Sequence, residues 1–213
     1  MPRLLLASGS PRRRELIRSL SDDVRVASTD VDESVPDGTP PDVMVRDVAL
    51  RKAAAAALDP AAVVVAADTT VSIDGAWLGK PEDADDARTM LTRLQGRAHQ
   101  VFTGVAVAVP GADPLTDVTM TVVAMAPMSI GEIDAYVATG HGLDKAGAYG
   151  IQGTAGTVVA GIEGCYTNVV GLPLCALAVL LARVGVAVDA PAPACAFRSD
   201  RVCPHPIWRG VAG

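Results

Sequence analysis

Short apolar runs alternate along this chain with stretches of helical period, the grammar of an α/β protein. Leu4 to Ala7 reads as a first core strand and Pro11 to Leu20 as a helix, followed by a longer, Ala-rich helix from Asp42 to Leu58. Val63 to Ala67 has the unbroken apolar character of a buried strand. Beyond it, Asp74-Gly75 between Val71, Ile73, Trp77 and Leu78 is a strong two-residue hairpin signal. A helix with an acidic start is expected from Glu82 to Leu94, then an antiparallel pair from Gln100 to Val109 and Val118 to Met125. Ser129 and Glu132 have capping-box spacing and Gly140 is a stop, so Ile130 to Thr139 reads as a helix. A glycine-rich loop from Gly140 to Gly156, a strand near Thr157 to Ile162 and an apolar helix near Leu174 to Val184 complete the pattern. From about Asp189 the Pro-, Ala- and Cys-bearing remainder reads as a loosely ordered tail, which gives one unit over 1–188 and a tail over 189–213.

A length of 213 residues fits one α/β domain or two closely packed lobes. Half the residues are hydrophobic and 20% are charged, which argues against disorder, while no apolar run is long enough for a membrane span. The apolar patch near the start runs directly into Arg12, Arg13 and Arg14, so it reads as a core strand of a cytoplasmic protein rather than a signal peptide. A net charge of −6 disfavours stable nucleic-acid or anionic-membrane binding, but not one anionic metabolite in a basic pocket. The four cysteines follow neither zinc-site nor disulfide-framework spacing.

Three constellations carry candidate chemistry. In Ser8-Gly-Ser10-Pro-Arg12-Arg13, Ser10 is placed as an N-cap and Pro11 at the first helical position. Arginines there oppose the helix dipole; a bound phosphate accounts for them, and a solvated basic face is the competing reading. In the second, the run from Val63 ends in Asp68-Thr69-Thr70, placing a carboxylate where a strand of an open α/β sheet reaches its ligand-binding edge; a turn-forming Asp is the alternative. The two-residue hairpin sets Lys80 opposite Thr69, beside Asp68, an acid and a cation suited to metal and phosphate handling or to a plain surface ion pair. The third, Asp144-Lys-Ala-Gly-Ala-Tyr149-Gly-Ile-Gln152, is a glycine-dense loop in which Gln152 is able to meet a base edge or water and Tyr149 reads as a packed ring. Glu33 and Lys52 read by themselves as exposed charges. Walker A, dinucleotide, nucleophile-elbow and His-Glu-x-x-His motifs are absent: Gly75 to Pro81 is one residue short between its glycines and has Pro81 where a P-loop needs Ser or Thr.

Taken in order, Ser8-Gly-Ser-Pro-Arg-Arg13, Val31-Asp-Glu33-Ser, Ala67-Asp68-Thr69, Leu78-Gly-Lys80-Pro, His99-Gln-Val-Phe-Thr-Gly104-Val, Lys145-Ala-Gly-Ala-Tyr-Gly-Ile-Gln152-Gly and Tyr166-Thr-Asn-Val-Val-Gly171-Leu-Pro173 resemble the Maf family of nucleotide pyrophosphatases, nearly the whole chain to about Arg183. The resemblance implies a mixed sheet flanked by helices, in two closely packed lobes with a cleft. It also implies a divalent cation, Mg2+ or Mn2+, and cleavage between the α- and β-phosphates of a nucleoside triphosphate. Carried over residue by residue, Ser8, Ser10, Arg12, Arg13, Lys52 and Lys80 hold the polyphosphate. Asp68 is the proton acceptor, with Lys80 and Gln152 assisting; Glu33 and Asp68 hold the metal, and Thr69 and Gln152 read the base. His99 and His141 receive no catalytic role. Ala67-Asp68-Thr69 and the Asp144 to Gln152 loop look like the branch acting on dTTP and UTP, while Gly140-His-Gly-Leu143 and Cys165 depart from its wording. A homodimer is expected from the resemblance. The alternatives are a nucleotide-binding regulator of septum formation and a pyrophosphatase for 7-methyl-GTP or for inosine and xanthosine triphosphates.

Overall fold

The first apolar run forms β1 (Arg3–Ala7), and Ser10 with Pro11 then starts α1 (Pro11–Arg18). The computed structural model describes residues 3–57, 62–152 and 157–189. After β2 (Val24–Ala27) and α2 (Pro41–Ala56) comes β3 (Ala62–Ile73), which turns through a hairpin into β4 (Ala76–Leu78). Next follow α3 (Ala84–Leu94), β5 (Ala98–Ala108), β6 (Leu115–Met125) and α4 (Ile130–Ala138). A 3-10 turn (Ala146–Ala148), β7 (Val159–Glu163), α5 (Tyr166–Val170) and α6 (Leu174–Arg183) close the described chain.

The result is a mixed sheet in the order β2-β1-β3-β5-β6-β7, with β4 paired to the far half of β3. β1 is parallel to both β2 and β3, whereas β3, β5, β6 and β7 are antiparallel in succession. The hairpin has the expected register, Val71 facing Leu78 and Ile73 facing Ala76, and both turn residues have positive φ, 54° at Asp74 and 77° at Gly75. That is the twist two-residue hairpins require. The expected capping box is present at α4, where Ser129 and Glu132 bond reciprocally.

Three differences from the sequence reading matter. β3 does not stop at Ala67; it continues through Asp68 to Ile73 as a 12-residue strand. Thr69, Thr70, Val71 and Ile73 are β-branched, and the one charged residue in the run is neutralised within the fold, so the pattern is interrupted without the strand ending. β2 escapes the pattern because it is a short edge strand, half-exposed throughout. α5 escapes it because five residues are too few to display a period. The proposed tail lies outside the described residues from position 190 onward.

Helices cover both faces. α1, α5 and α6 bury Ile17, Val170, Leu177 and Leu181 against Leu4, Leu6, Val63 and Val65. On the opposite face α2 lies against the same strands through alanines, Ala49, Ala53 and Ala56 meeting Val64, Ala66 and Ala106. Such small side chains let helix and sheet approach closely. At Gly104 no side chain fits at all, since a Cβ there would lie 2.4 Å from the Val45 carbonyl oxygen. α3 and α4 cover the far half of the sheet with Leu91, Leu94 and Ile133 on Val71, Val101 and Val123. Among the described residues no helix is long and apolar enough to cross a membrane.

Candidate functional site

Strand parity decides where the polar residues of β3 point. Val64 and Ala66 face α2, so Asp68 does as well, while Val65 and Ala67 face α1 and α6, so Thr69 does too. The parallel ladder between β1 and β3 ends at Ala7 and Ala66. Asp68 therefore lies just past the carboxyl end of the parallel part of the sheet although it sits in mid-strand. The expectation of a strand-end carboxylate is corrected in form and retained in place.

On the α2 side, Lys52 belongs to the buried stripe of Val45, Val48, Ala49 and Ala56. Its ammonium lies 2.7 Å from Asp68 Oδ1 and 2.8 Å from Glu33 Oε1. Lys52 and Asp68 are each 7% exposed. The reading of Lys52 as an exposed charge is thus overturned: it is the shared counter-ion of the two carboxylates. Glu33 remains exposed on the 28–40 connection. Partial burial works against its charged form, but the hydrogen bond and charge of Lys52, with Lys80 and Arg13 behind it, hold its carboxyl below the usual range.

On the other side, Ser10 caps α1 by accepting from the Arg13 backbone N–H at 3.4 Å, and Ser8 Oγ accepts from Ser10 N at 3.2 Å. Arg13 folds back from the first turn. Its Nε donates to the Gly171 carbonyl at 2.7 Å, Nη2 to Thr69 Oγ1 at 2.9 Å and Nη1 to Ser8 Oγ at 3.4 Å. Thr103 spends its single proton on the Asn168 carbonyl at 3.1 Å, so across the 2.9 Å contact between the two threonine hydroxyls Thr69 is the donor. A chain of donors thus runs from Arg13 through Thr69 and Thr103 to Asn168, each bond polarising the next. Burial lowers the Arg13 pKa while Asp68 and Glu33 oppose it, and a guanidinium stays charged under such conditions.

Arg12 takes a different course, donating to Asp144 Oδ2 at 2.9 Å. Lys80 is exposed, and the ladder from β4 ends at Leu78, so its expected facing with Thr69 is not a strand pair; its charge acts on Glu33. Gln152 is half-buried and hydrogen-bonded to the Tyr166 hydroxyl. All ten expected residues are brought to one cleft of about 760 Å³, whose lining includes Ser8, Ser10, Arg12, Arg13, Glu33, Lys52, Asp68, Thr69, Lys80 and Gln152. Asp144, Lys145 and Gly171 are in the same lining, and Thr103 and Asn168 behind it; the sequence motifs contain these residues but gave them no role. Tyr149 is a packed ring as expected, buried and hydrogen-bonded to His99 at 2.7 Å.

Among the described residues no group of three or more His, Cys, Asp or Glu side chains is arranged around a common point. Two carboxylates converge, however, and a magnesium-type cation is commonly held by one or two carboxylates with water and substrate phosphates supplying the rest. Glu33 and Asp68 fit that donor set.

The chain as a whole has relatives. The Maf-like protein family matches residues 3–184. A dTTP/UTP pyrophosphatase of Symbiobacterium thermophilum is 49% identical over 186 residues, covering 87% of this chain and 95% of that one. Another, from Myxococcus xanthus, is 48% identical over 184 residues, covering 86% and 93%. Among solved structures, the Staphylococcus aureus Ham1 protein aligns over 58% of this chain and 72% of its own at 16% identity and a TM-score of 0.41. A nucleoside-triphosphatase (dITP/XTP pyrophosphatase) of Mycobacterium abscessus aligns over 59% and 75% at 20% identity and a TM-score of 0.39. With the family pattern running from β1 to the end of α6 and near-half identity sustained over almost the full length of those relatives, the chain belongs to the Maf-like family.

Proposed function

We propose that the protein hydrolyses nucleoside triphosphates, dTTP and UTP foremost, to the monophosphate and pyrophosphate. The observation that carries this reading is the Asp68–Lys52–Glu33 cluster set across one cleft from the arginine-bearing start of α1. Phosphoryl chemistry asks for charge neutralisation and in-line positioning rather than a covalent nucleophile. Ser8, Ser10, the start of α1, Arg12, Arg13 and Lys80 supply hydroxyls, N–H groups and cations for the polyphosphate. Lys52 holds Asp68 through Oδ1, and the second carboxylate oxygen takes the proton of the attacking water. The new P–O bond forms as the α–β anhydride bond breaks; its electron pair leaves on pyrophosphate, which carries the negative charge onto the cations around it. Glu33 and Asp68 would hold a divalent cation that neutralises phosphate charge and lowers the pKa of bound water.

The base lies toward Gln152, whose amide offers both donor and acceptor. The Thr69 hydroxyl is engaged by Arg13 and Thr103, so Thr69 acts on substrate by orienting Arg13. The relatives named for dTTP and UTP favour the pyrimidine branch, and no observation of the site favours the septum-regulator reading over it.

The test is pyrophosphate release with magnesium or manganese from dTTP, UTP, CTP, ITP, 7-methyl-GTP and pseudouridine triphosphate, with and without a chelator. Turnover of dTTP and UTP that is lost in Asp68→Asn and on chelation is the expected result. Preference for ITP or 7-methyl-GTP overturns the base assignment, and no turnover at all overturns the enzymatic reading in favour of the regulator.

A further inference from the structure

Asp144 stands at the lip of the cleft with one carboxylate oxygen on each of two cations. Oδ2 accepts from Arg12 Nη1 at 2.9 Å and Oδ1 from Lys145 Nζ at 2.5 Å. Its backbone carbonyl accepts a second, longer bond from Arg12 Nη2 at 3.5 Å. Two cations on two oxygens of one anion is also how a terminal phosphate is held. The loop bearing Asp144 is tied down on both sides. Gly142 packs so tightly under Ala148 that a Cβ would lie 2.0 Å from its carbonyl oxygen, and Gly147 N donates to the Gly79 carbonyl, next to Lys80, at 3.0 Å. Gly150 N donates to the Tyr136 hydroxyl at 3.0 Å. Asp144 is therefore presented from a fixed backbone, while the cations it holds are at the ends of long side chains, 25% exposed for Arg12 and 19% for Lys145. Burial works against the Asp144 carboxylate, yet the bonds from Lys145 and Arg12 hold its pKa below the ordinary value, so it stays an anion.

We infer that Asp144 is a built-in competitor of phosphate for Arg12 and Lys145, giving them up to the polyphosphate end of the bound nucleotide and taking them back from product pyrophosphate. Cleavage leaves pyrophosphate among several cations, where a fixed neighbouring carboxylate competes at the high effective concentration of an intramolecular group. Asp144 is a positioning residue in this scheme. It sets how tightly the polyanion is held and makes no contact with the reacting bond.

The inference rests on the pyrophosphatase reading, and direct binding separates the two. Inorganic pyrophosphate is titrated calorimetrically into the wild-type protein and into Asp144→Asn, which keeps the side-chain shape and loses the charge. Asp144→Ala serves as a second variant, and thermal unfolding verifies that each is folded. Both variants are expected to bind pyrophosphate about fivefold more tightly, the scale of a half-exposed ion pair, with a smaller gain at high salt. The inhibition constant for pyrophosphate and the KM for triphosphate are expected to fall together. Unchanged or weaker binding, or a KM that rises, overturns the proposal, because a carboxylate that merely aims Arg12 at phosphate gives weaker binding when removed. Absence of turnover by the wild type overturns the pyrophosphatase reading, and the titration still decides the role of Asp144.

Discussion

Lys52 Nζ and Asp68 Oδ1 lie 2.7 Å apart where α2 crosses β3, with both side chains about nine-tenths buried. Burying either charge alone would be costly, and the pair is tolerated because each is the other's counter-ion. Lys52→Met leaves the Asp68 carboxylate buried and unpaired. A loss of about 3 kcal/mol in urea unfolding at neutral pH is expected, together with loss of turnover. Asp68→Asn leaves Lys52 its bond to Glu33, so it should cost less stability while lowering kcat by about 100-fold or more. Equal stability losses in the two variants would count against this picture.

Gly104 is the ladder partner of Asp68 on β5 and faces the same helix. With Val45 O at 2.4 Å and Arg46 N at 2.7 Å from the position of a Cβ, Gly104→Ala forces α2 off the sheet. Backbone cannot swing aside as a side chain does, so about 3 kcal/mol of destabilisation is expected in chemical denaturation. The helix that moves is the one carrying Lys52, so kcat should fall even where the variant remains folded.

His99 is buried against Tyr149, and burial lowers its pKa to about 4 from 6.5. A histidine with a depressed pKa contributes stability above its unfolded value, because there both states are neutral. As pH falls below 6.5 the unfolded chain takes up a proton that the folded protein refuses until about 4, so stability declines across that window. The decline amounts to roughly 3 kcal/mol. Urea midpoints measured from pH 7 to pH 4 should fall less steeply in His99→Gln than in the wild type; parallel curves would reject the assignment.

Thr103 never reaches the cleft surface, yet it accepts from Thr69 and thereby orients the hydroxyl that holds Arg13. Thr103→Val keeps the shape and removes two hydrogen bonds, leaving the Asn168 carbonyl without this donor. A stability loss of about 1 to 2 kcal/mol is expected, with a rise in KM for triphosphate larger than the fall in kcat. A variant with wild-type KM would show that Gly171, Ser8 and Thr69 hold Arg13 well enough without Thr103.

Much of this site was legible in the residues, and what was not shares a physical cause. Ser10 and Pro11 declare a helix start by local chemistry, and Asp74-Gly75 declares a hairpin because few other residues take two positive φ values in succession. Lys52 was misjudged although its position is readable in principle: four residues after Val48 and four before Ala56, it falls on the buried stripe of its own helix. Asp144 has no such local signature. Its meaning depends on Arg12, 132 positions away in the chain, and the Thr69–Thr103–Asn168 relay depends equally on strand and helix residues meeting in space. Pairings of that kind leave no periodic trace.

β3, β5 and β6 run unbroken beneath both sets of covering helices, and β3 carries Asp68 at the changeover from parallel to antiparallel neighbours. A plank shared by both halves cannot fold at its middle without tearing its own ladder. Any widening or narrowing of the cleft has to come from the connections above it, the 28–40 segment with Glu33 and the 79–83 segment with Lys80. Asp68 is then a fixed datum of the site, a group whose position a passing nucleotide does not renegotiate.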